Sequence, residues 1–531
     1  MNETWDYIVV GAGHNGLSAA CTLAAAGRSV LVLDQRTLCG GLAISHPFVE
    51  GAPHHHLSIG AMDDALMAHS SLVDDLRLRD YGYRAVPLSV PYGWMSPEGD
   101  TLLLHSDFAR TVEEIRYFSP RDARTYQEIR GAVDFVMGAL ERFSTCHPAR
   151  LPRRELARRL FALAGDRRLR KLIGRMLASS AFEMIAETFH SEAMRGLWAF
   201  WASMFAPPTL PGTGIYLAAF GNVHRSGIFR PLGGMSAMIR AFEQGLLQQG
   251  GEIRLGHRVE QLLMKNRRVT GVRVAGGQEF SARRAVLAGC APQIALDSLL
   301  PDDARNETLR TKLEFMPASS VAVAPFKVDM AVAGPLRYRR AQVRRAVRDN
   351  LDVHGTTFMT GTLEQHIAQH QACLRGEPVD FATPLYFACL SANDRSIAPE
   401  GQDVLYLYAN VPVEPIGGWD SCKVHYSESI LQTARHYIDG LDAEIGRVET
   451  SPRDFEIRFG APRGCYFHVD MLPSRLLMNR PAPGLGGYKT PLEGLFLAGA
   501  GSHPGGGVCG WPGRLAAEEA MRSERSGVGR E

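Results

Sequence analysis

The sequence predicts an α/β chain, a Rossmann-like domain assembled from separated segments with a discontinuous α+β cap domain between them. Three stretches predict it. A strand, a glycine-rich turn, a helix and a second strand follow one another across residues 5–34. A long helical stretch then gives way to a new set of short apolar strands at residues 251–291. Finally, residues 494–514 read as a buried strand that runs into a second glycine-rich turn and a helix.

In the opening unit, residues 6–10 are apolar and β-branched, as a buried strand requires. Gly11-Ala12-Gly13-His14-Asn15-Gly16 fits G-x-G-x-x-G, and an Ala-rich helix follows until Gly27 stops it. Residues 29–33 form the second strand, which ends in Asp34 with Gln35 behind it. Gly11 makes the tight turn, Gly13 lets backbone approach a pyrophosphate, and Gly16 lets helix and strand pack closely. His14 and Asn15 sit on the helix N-terminus, where free N–H groups and the positive dipole end favour phosphate. Asp34 stands 18 residues after Gly16, placed to accept bonds from ribose hydroxyls. The unit therefore reads as a dinucleotide site, and the acid favours a free 2′-hydroxyl, as in FAD or NAD, over NADP.

Composition sets the outer limits. At 531 residues the chain has material for about three domains. Hydrophobic content of 45% and charged content of 21% are those of an ordinary globular protein. A net charge of +2 gives no argument for nucleic acid. The nine cysteines contain no C-x-x-C pair, which argues against zinc and against a redox-active disulfide, and for buried free thiols. No apolar run approaches the ~18 residues of a membrane span, and the polar N-terminus is not a signal peptide. The expectation is a cytoplasmic enzyme, a monomer or dimer, with no metal.

A second glycine pair, Gly40-Gly41, follows the acid closely and precedes Leu42. With G-A-G-H-N-G-L ahead of it, this segment resembles the phytoene dehydrogenase-related flavoproteins, which belong with the amine oxidases. The resemblance implies FAD, with the Gly-Gly turn lying against its pyrophosphate and flavin. His54-His55-His56 follows. Neighbouring side chains on an extended segment point to opposite faces, so three consecutive histidines converge poorly on a metal. His56 facing the flavin as a polar or acid–base group is the alternative.

Residues 91–228 read mainly as helices and are assigned to the cap. Within them, residues 150–175, with Arg150 and Arg175 at the ends, carry ten Lys and Arg against Glu155 and Asp166. Leucines recur there at helical spacing, giving a basic amphipathic helix pair. It is either a solvated face or a docking surface for an anionic membrane or an acidic carrier protein. Six arginines between residues 337 and 348 add a second basic run. Trp198, Phe200, Trp201 and Phe205 are core or, if they line a pocket, suit a greasy substrate.

The chain returns to the nucleotide domain at residues 229–299. Here the resemblance places Val259 near the adenine and Ala288 and Gly289 near the cofactor. Residues 300–455 read as strand-rich and complete the cap, and residues 456–531 complete the Rossmann domain begun at residues 1–90. The last segment contains G-A-G-x-H-P-G-G-G, which resembles the flavin-binding C-terminal motif of the same family and assigns Gly499, Ala500, Gly507 and Val508 to the cofactor. The likeness is nearest to the subgroup named for a pyridine nucleotide-disulphide oxidoreductase domain. Trp511 replaces a small residue usual in that family's G-x-P-G and is expected to narrow the pocket.

These readings lead to an FAD-dependent dehydrogenase, desaturase or oxidase. It would take a hydride from a C–H bond of a small hydrophobic substrate, leaving C=C or C=N. His503 is the expected polar group near the ring, with His56 and Tyr488 behind it. A flavin-dependent isomerase and a non-catalytic prenyl- or lipid-binding protein on the same fold are the alternatives the resemblance leaves open.

Overall fold

The computed structural model describes residues 3–321, 323–378 and 384–527. β1 (Glu3–Val10) is exposed at its polar start and buried from Tyr7 onward, because only its second half carries the unbroken apolar run. α1 (His14–Ala25) and β2 (Val30–Leu33) complete the opening unit. β1 pairs in parallel with β2 and with Glu279–Ala288, so both of its edges are covered. Beyond β2 lies Glu252–Arg254, again parallel.

The strand Glu279–Ala288 is long enough to serve two partners on one edge. Residues 279–281 pair antiparallel with Arg268–Val274, and residues 286–288 pair in parallel with Leu495–Leu497. Val259–Lys265 closes that side as a hairpin on Arg268–Val274, turning through Asn266 and Arg267 at positive φ. This seven-stranded sheet thus joins chain segments almost 500 positions apart and aligns their C-terminal ends at one edge.

A second sheet of seven strands runs in the order Glu444–Thr450, Val323–Val332, Asp403–Pro412, Leu385–Cys389, Thr357–Met359, Tyr92–Met95 and Thr101–Leu104. Its last two members add a strand pair at the start of residues 91–228, a segment that is otherwise mainly helical. The aromatic run Tyr92-Gly93-Trp94-Met95 and the turn ending in Gly99 form a hairpin, joined in parallel to residues 357–359. After it the segment is helical, through Phe108–Phe118, Pro120–Ser144, Arg153–Gly165, Arg167–Ala178, Ala181–Thr188 and Glu192–Phe205.

These helices pack one face on the second sheet in the largest apolar cluster. Trp198 is 1% exposed there and donates its indole N–H to the Leu217 carbonyl at 3.1 Å, so it belongs to the core. All nine cysteines are free thiols. Among the described residues no helix is long and apolar enough to cross a membrane.

Candidate active site

The C-terminal edge of the first sheet is shaped by glycines whose side-chain space is already occupied. Gly11 turns at φ +100 and donates its N–H to the Leu33 carbonyl at 2.8 Å. A Cβ on Gly16 would lie 2.0 Å from the Gly11 carbonyl oxygen, so helix and turn touch backbone to backbone. Gly40 donates to the Ala12 carbonyl at 2.8 Å, and the Gly13 Cβ position lies 4.0 Å from the Gly41 Cα. Gly40 and Gly41 both hold positive φ, which bulkier residues at this sharp bend would resist. The helix α1 has no side-chain cap and no acid in its first turn, so its positive end is left for an external anion.

Asp34 ties the unit together. Its Oδ2 accepts from the Ala12 N–H at 2.7 Å and its Oδ1 from the Arg36 N–H at 2.8 Å. Each oxygen keeps a lone pair for a ribose hydroxyl. The Asp34 carbonyl accepts from His257 at 2.8 Å, which brings Val259 into the apolar cluster beside Leu33. Gln35, by contrast, is exposed.

Three segments meet above this turn. The Gly11 Cβ position is 3.6 Å from the Gly289 carbonyl carbon, and that of Gly499 is 2.7 Å from the Gly289 oxygen. Ala498 donates to the Ala288 carbonyl at 2.7 Å. Gly507 and Val508 continue the turn at φ +107 and +56, Gly507 exposed and Val508 half-buried.

Buried atoms without partners test whether this cradle fits a dinucleotide. His14 Nε2, Asn15 Oδ1 and Arg36 Nη2 are buried and make no hydrogen bond in the chain. A ligand bearing phosphates and hydroxyls would satisfy the guanidinium and the amide, so the donor set fits. Sequence reasoning missed Arg36, although its place two residues after the acid and behind β2 is a usable signal. It also missed Arg480, which is fully buried and donates to the carbonyls of Phe467, Val469, Asp470 and Ala500 at 2.8–3.3 Å. This one guanidinium holds loop 467–470 against the C-terminal glycine-rich turn.

Beside that loop is a cavity of about 50 Å³ between Glu192–Phe205, Leu363–Leu374 and the second sheet. Phe205, His366, His370, Tyr408, Tyr466 and Phe467 line it. Phe467 also abuts the turn, since a Cβ on Gly506 would sit 2.2 Å from its ring. Burial pushes His366 down to about 3 and His370 to about 4, so both are neutral at physiological pH. The cavity is therefore walled by aromatic rings and neutral imidazoles, with Gln369, Asn410 and Asp470 also on its lining, and it lies one side chain away from the cofactor cradle.

Comparison with known proteins agrees with this geometry. Residues 9–62 match an NAD(P)-binding Rossmann-like domain, and residues 103–360 match the flavin containing amine oxidoreductase family. The pyridine nucleotide-disulfide oxidoreductase domain-containing protein 2 of Rattus norvegicus is 28% identical over 98% of this chain and 94% of its own length. A lycopene-forming phytoene desaturase of Pseudescherichia vulneris is 24% identical over 97% of this chain and 98% of its own. The chain is thus similar along nearly all of its length to phytoene desaturases, and over residues 103–360 to flavin containing amine oxidoreductases. The solved structure of a putrescine oxidase variant shares its fold, with a TM-score of 0.61 at 16% identity over 98% of this chain and 99% of that one.

The chain is accordingly a flavin-dependent oxidoreductase with FAD as its cofactor. The three side chains expected near the ring do not form one group in this flavoprotein. Tyr488 donates to the His503 carbonyl at 3.0 Å, and the His503 Nε2 lies 3.0 Å from the Phe143 carbonyl. Burial lowers His503 to about 4, so it is neutral and its Nε2–H donates to that carbonyl. His503 bolts the C-terminal turn to the end of Pro120–Ser144, and Tyr488 braces the His503 backbone. His56 is half-buried elsewhere, beside Ser45 and Arg240, with its Nδ1 unpartnered.

Trp511 corrects the expectation that it narrows the pocket. Its indole N–H donates to Ser70 Oγ at 3.0 Å and its rings pack in the core around α1. His54 is exposed while His55 is 3% exposed, as alternating directions require, so the run does not converge. Among the described residues, the one set of three donors close enough to share an ion is His354, Cys389 and Asp403. Its Asp403 already accepts from Leu336 N–H at 2.8 Å and Ser391 Oγ at 2.6 Å, while its carboxylate raises His354 to about 10. That set reads as an ion pair fastening the second sheet.

Proposed function

We propose that this flavoprotein oxidises a C–H bond of a hydrophobic metabolite to C=C or C=N, as a dehydrogenase, desaturase or oxidase. Bound FAD supplies the hydride-accepting chemistry. The chain supplies the cradle, the aromatic-lined cavity and the wall between them. The observation that carries the reading is Phe467, shared by the aromatic cavity and the glycine-rich turn. A substrate seated against Phe205 and Tyr408 would present an apolar segment toward the cofactor past Phe467. The phytoene desaturase likeness supports a polyene or terpenoid substrate, and the putrescine oxidase likeness supports the fold alone.

The reading is tested by filling the cavity. Ala206 is 6% exposed and lines it. Ala206→Phe should leave FAD content and visible spectrum unchanged while kcat/KM falls at least about tenfold, roughly 1.4 kcal/mol of lost transition-state binding, across a panel of terpenoid, fatty-acyl and alkylamine compounds. Unchanged turnover of the best substrate in this variant would place the reaction elsewhere.

A further inference from the structure

The helix Arg153–Gly165 is amphipathic the wrong way round for a folded core. None of its residues is buried. Leu156, Leu160 and Phe161 are 41%, 57% and 78% exposed, and Ala157 and Ala164 lie exposed on the same face. The side turned inward is formed by Glu155 and Arg159, with Leu163 alone packed against the cap core. Arg159 donates to the Phe135 carbonyl at 2.7 Å, stacks over the Phe135 and Phe143 rings, and pairs with Glu155 at 2.7 Å. Folding alone gives no reason to point the leucines and the phenylalanine at water.

Positive charge frames this apolar face. Arg153, Arg154, Arg167, Arg168 and Lys171 are exposed and have no carboxylate partner among the described residues. Arg170 spends its guanidinium on the Leu163 and Ala164 carbonyls, both at 2.9 Å, closing the C-terminal end of the helix. The second helix, Arg167–Ala178, buries Ile173 and Met176 and anchors the pair to the cap, with Leu177 51% exposed.

We infer that this helix pair is an interfacial device that seats the enzyme on an anionic lipid surface. Leu156, Leu160 and Phe161 enter the headgroup boundary and the unpaired arginines meet lipid phosphates. Charge complementarity decides the occupant. A second copy would oppose this basic face with the same basic face, whereas an anionic membrane neutralises it. The position also suits delivery of a greasy substrate, a point that rests on the reading given under Proposed function. Arg167–Ala178 packs on Thr213–Ala218, whose Tyr216 stacks on the cavity residue Phe205 at 5.5 Å.

Vesicle co-sedimentation of the FAD-loaded protein tests the inference without turnover. The probes are phosphatidylcholine vesicles with and without phosphatidylglycerol, at low and high salt. Wild type should bind only the anionic vesicles, and high salt should release it only in part. Exchanging Arg153, Arg154, Arg167 and Arg168 for Gln should weaken binding at least about tenfold. Leu160→Ser with Phe161→Ser should leave FAD content and solubility intact but make binding weaker and fully salt-reversible. The inference fails if wild type ignores anionic vesicles at low salt, or if both variants bind like wild type. It also fails if wild type is a dimer in solution and the Leu160, Phe161 variant a monomer, which would show that a second copy covers the face. Failure here leaves the oxidation reading standing, because that is read from turnover of a soluble substrate.

Discussion

Gly13→Val and Gly16→Ala should separate loss of cofactor from loss of fold, although both alter the same six-residue turn. Gly13 holds φ −69, an ordinary value for any residue, and its Cβ position meets nothing nearer than the Gly41 Cα at 4.0 Å. The apo chain therefore has room for a side chain, and its stability should change by less than about 0.5 kcal/mol. The space the valine enters is where the cradle leaves backbone open to a pyrophosphate, so FAD should be lost. Gly16 is the opposite case. Its Cβ would stand 2.0 Å from the Gly11 oxygen, more than an ångström inside contact distance and against backbone that cannot rotate away. Overpacking of that kind costs about 1–3 kcal/mol or more. The assay is urea denaturation of both apo variants beside FAD titration followed by flavin fluorescence. Stoichiometric FAD in Gly13→Val, or wild-type stability in Gly16→Ala, would refute the assignment of roles within the turn.

Three further outcomes follow from buried charge. Lys327 and Asp329 have side chains 1% exposed and pair with each other, and the Lys327 ammonium lies over the Tyr406 ring; burial pulls the lysine down and pushes the aspartate up. Lys327→Met alone should destabilise by about 3–5 kcal/mol by stranding the carboxylate, and adding Asp329→Leu should restore much of it, read by denaturant midpoint. His14, His370 and His503 are depressed to about 4 by burial, against about 6.5 in the unfolded chain. The unfolded state then binds more protons between those values, so stability should hold above pH 6.5 and fall as pH drops toward 4, and His503→Phe should flatten that fall in pH-dependent urea midpoints. Arg480→Met should leave four buried carbonyls short of a donor and cost about 3 kcal/mol or more. The variant should lose FAD along with stability, because the glycine-rich turn loses its anchor.

What the sequence made legible was local. A strand, three glycines, a helix and an acid at fixed spacing dictate one geometry within thirty-odd residues, and Gly11, Gly13, Gly16 and Asp34 sit as that rule requires. The Gly40-Gly41 turn and the Gly499 segment were legible for the same reason. The hairpin of Tyr92–Met95 and Thr101–Leu104 was overlooked because two short strands were absorbed into a long helical neighbourhood. Arg480 carries no local signature, since its partners are backbone carbonyls of two separate loops, and the Lys327–Asp329 pair shows in the sequence only as two charges on one strand, not as a buried pair beside Tyr406. Trp511 was misread because a motif position fixes the backbone but not the direction of a side chain that finds Ser70 instead. The basic run at residues 150–175 was visible as charge, but its inverted packing depended on Arg159 reaching Phe135, which only the fold could show.

The most direct test of the central claim is anaerobic mixing of the FAD-loaded protein with hydrophobic candidate substrates, watching the visible flavin band and weighing the products. The account predicts bleaching of the band by an apolar compound and a product lighter by two hydrogens. Stoichiometric conversion of such a compound to an isomer of equal mass, with the band unchanged, would contradict it.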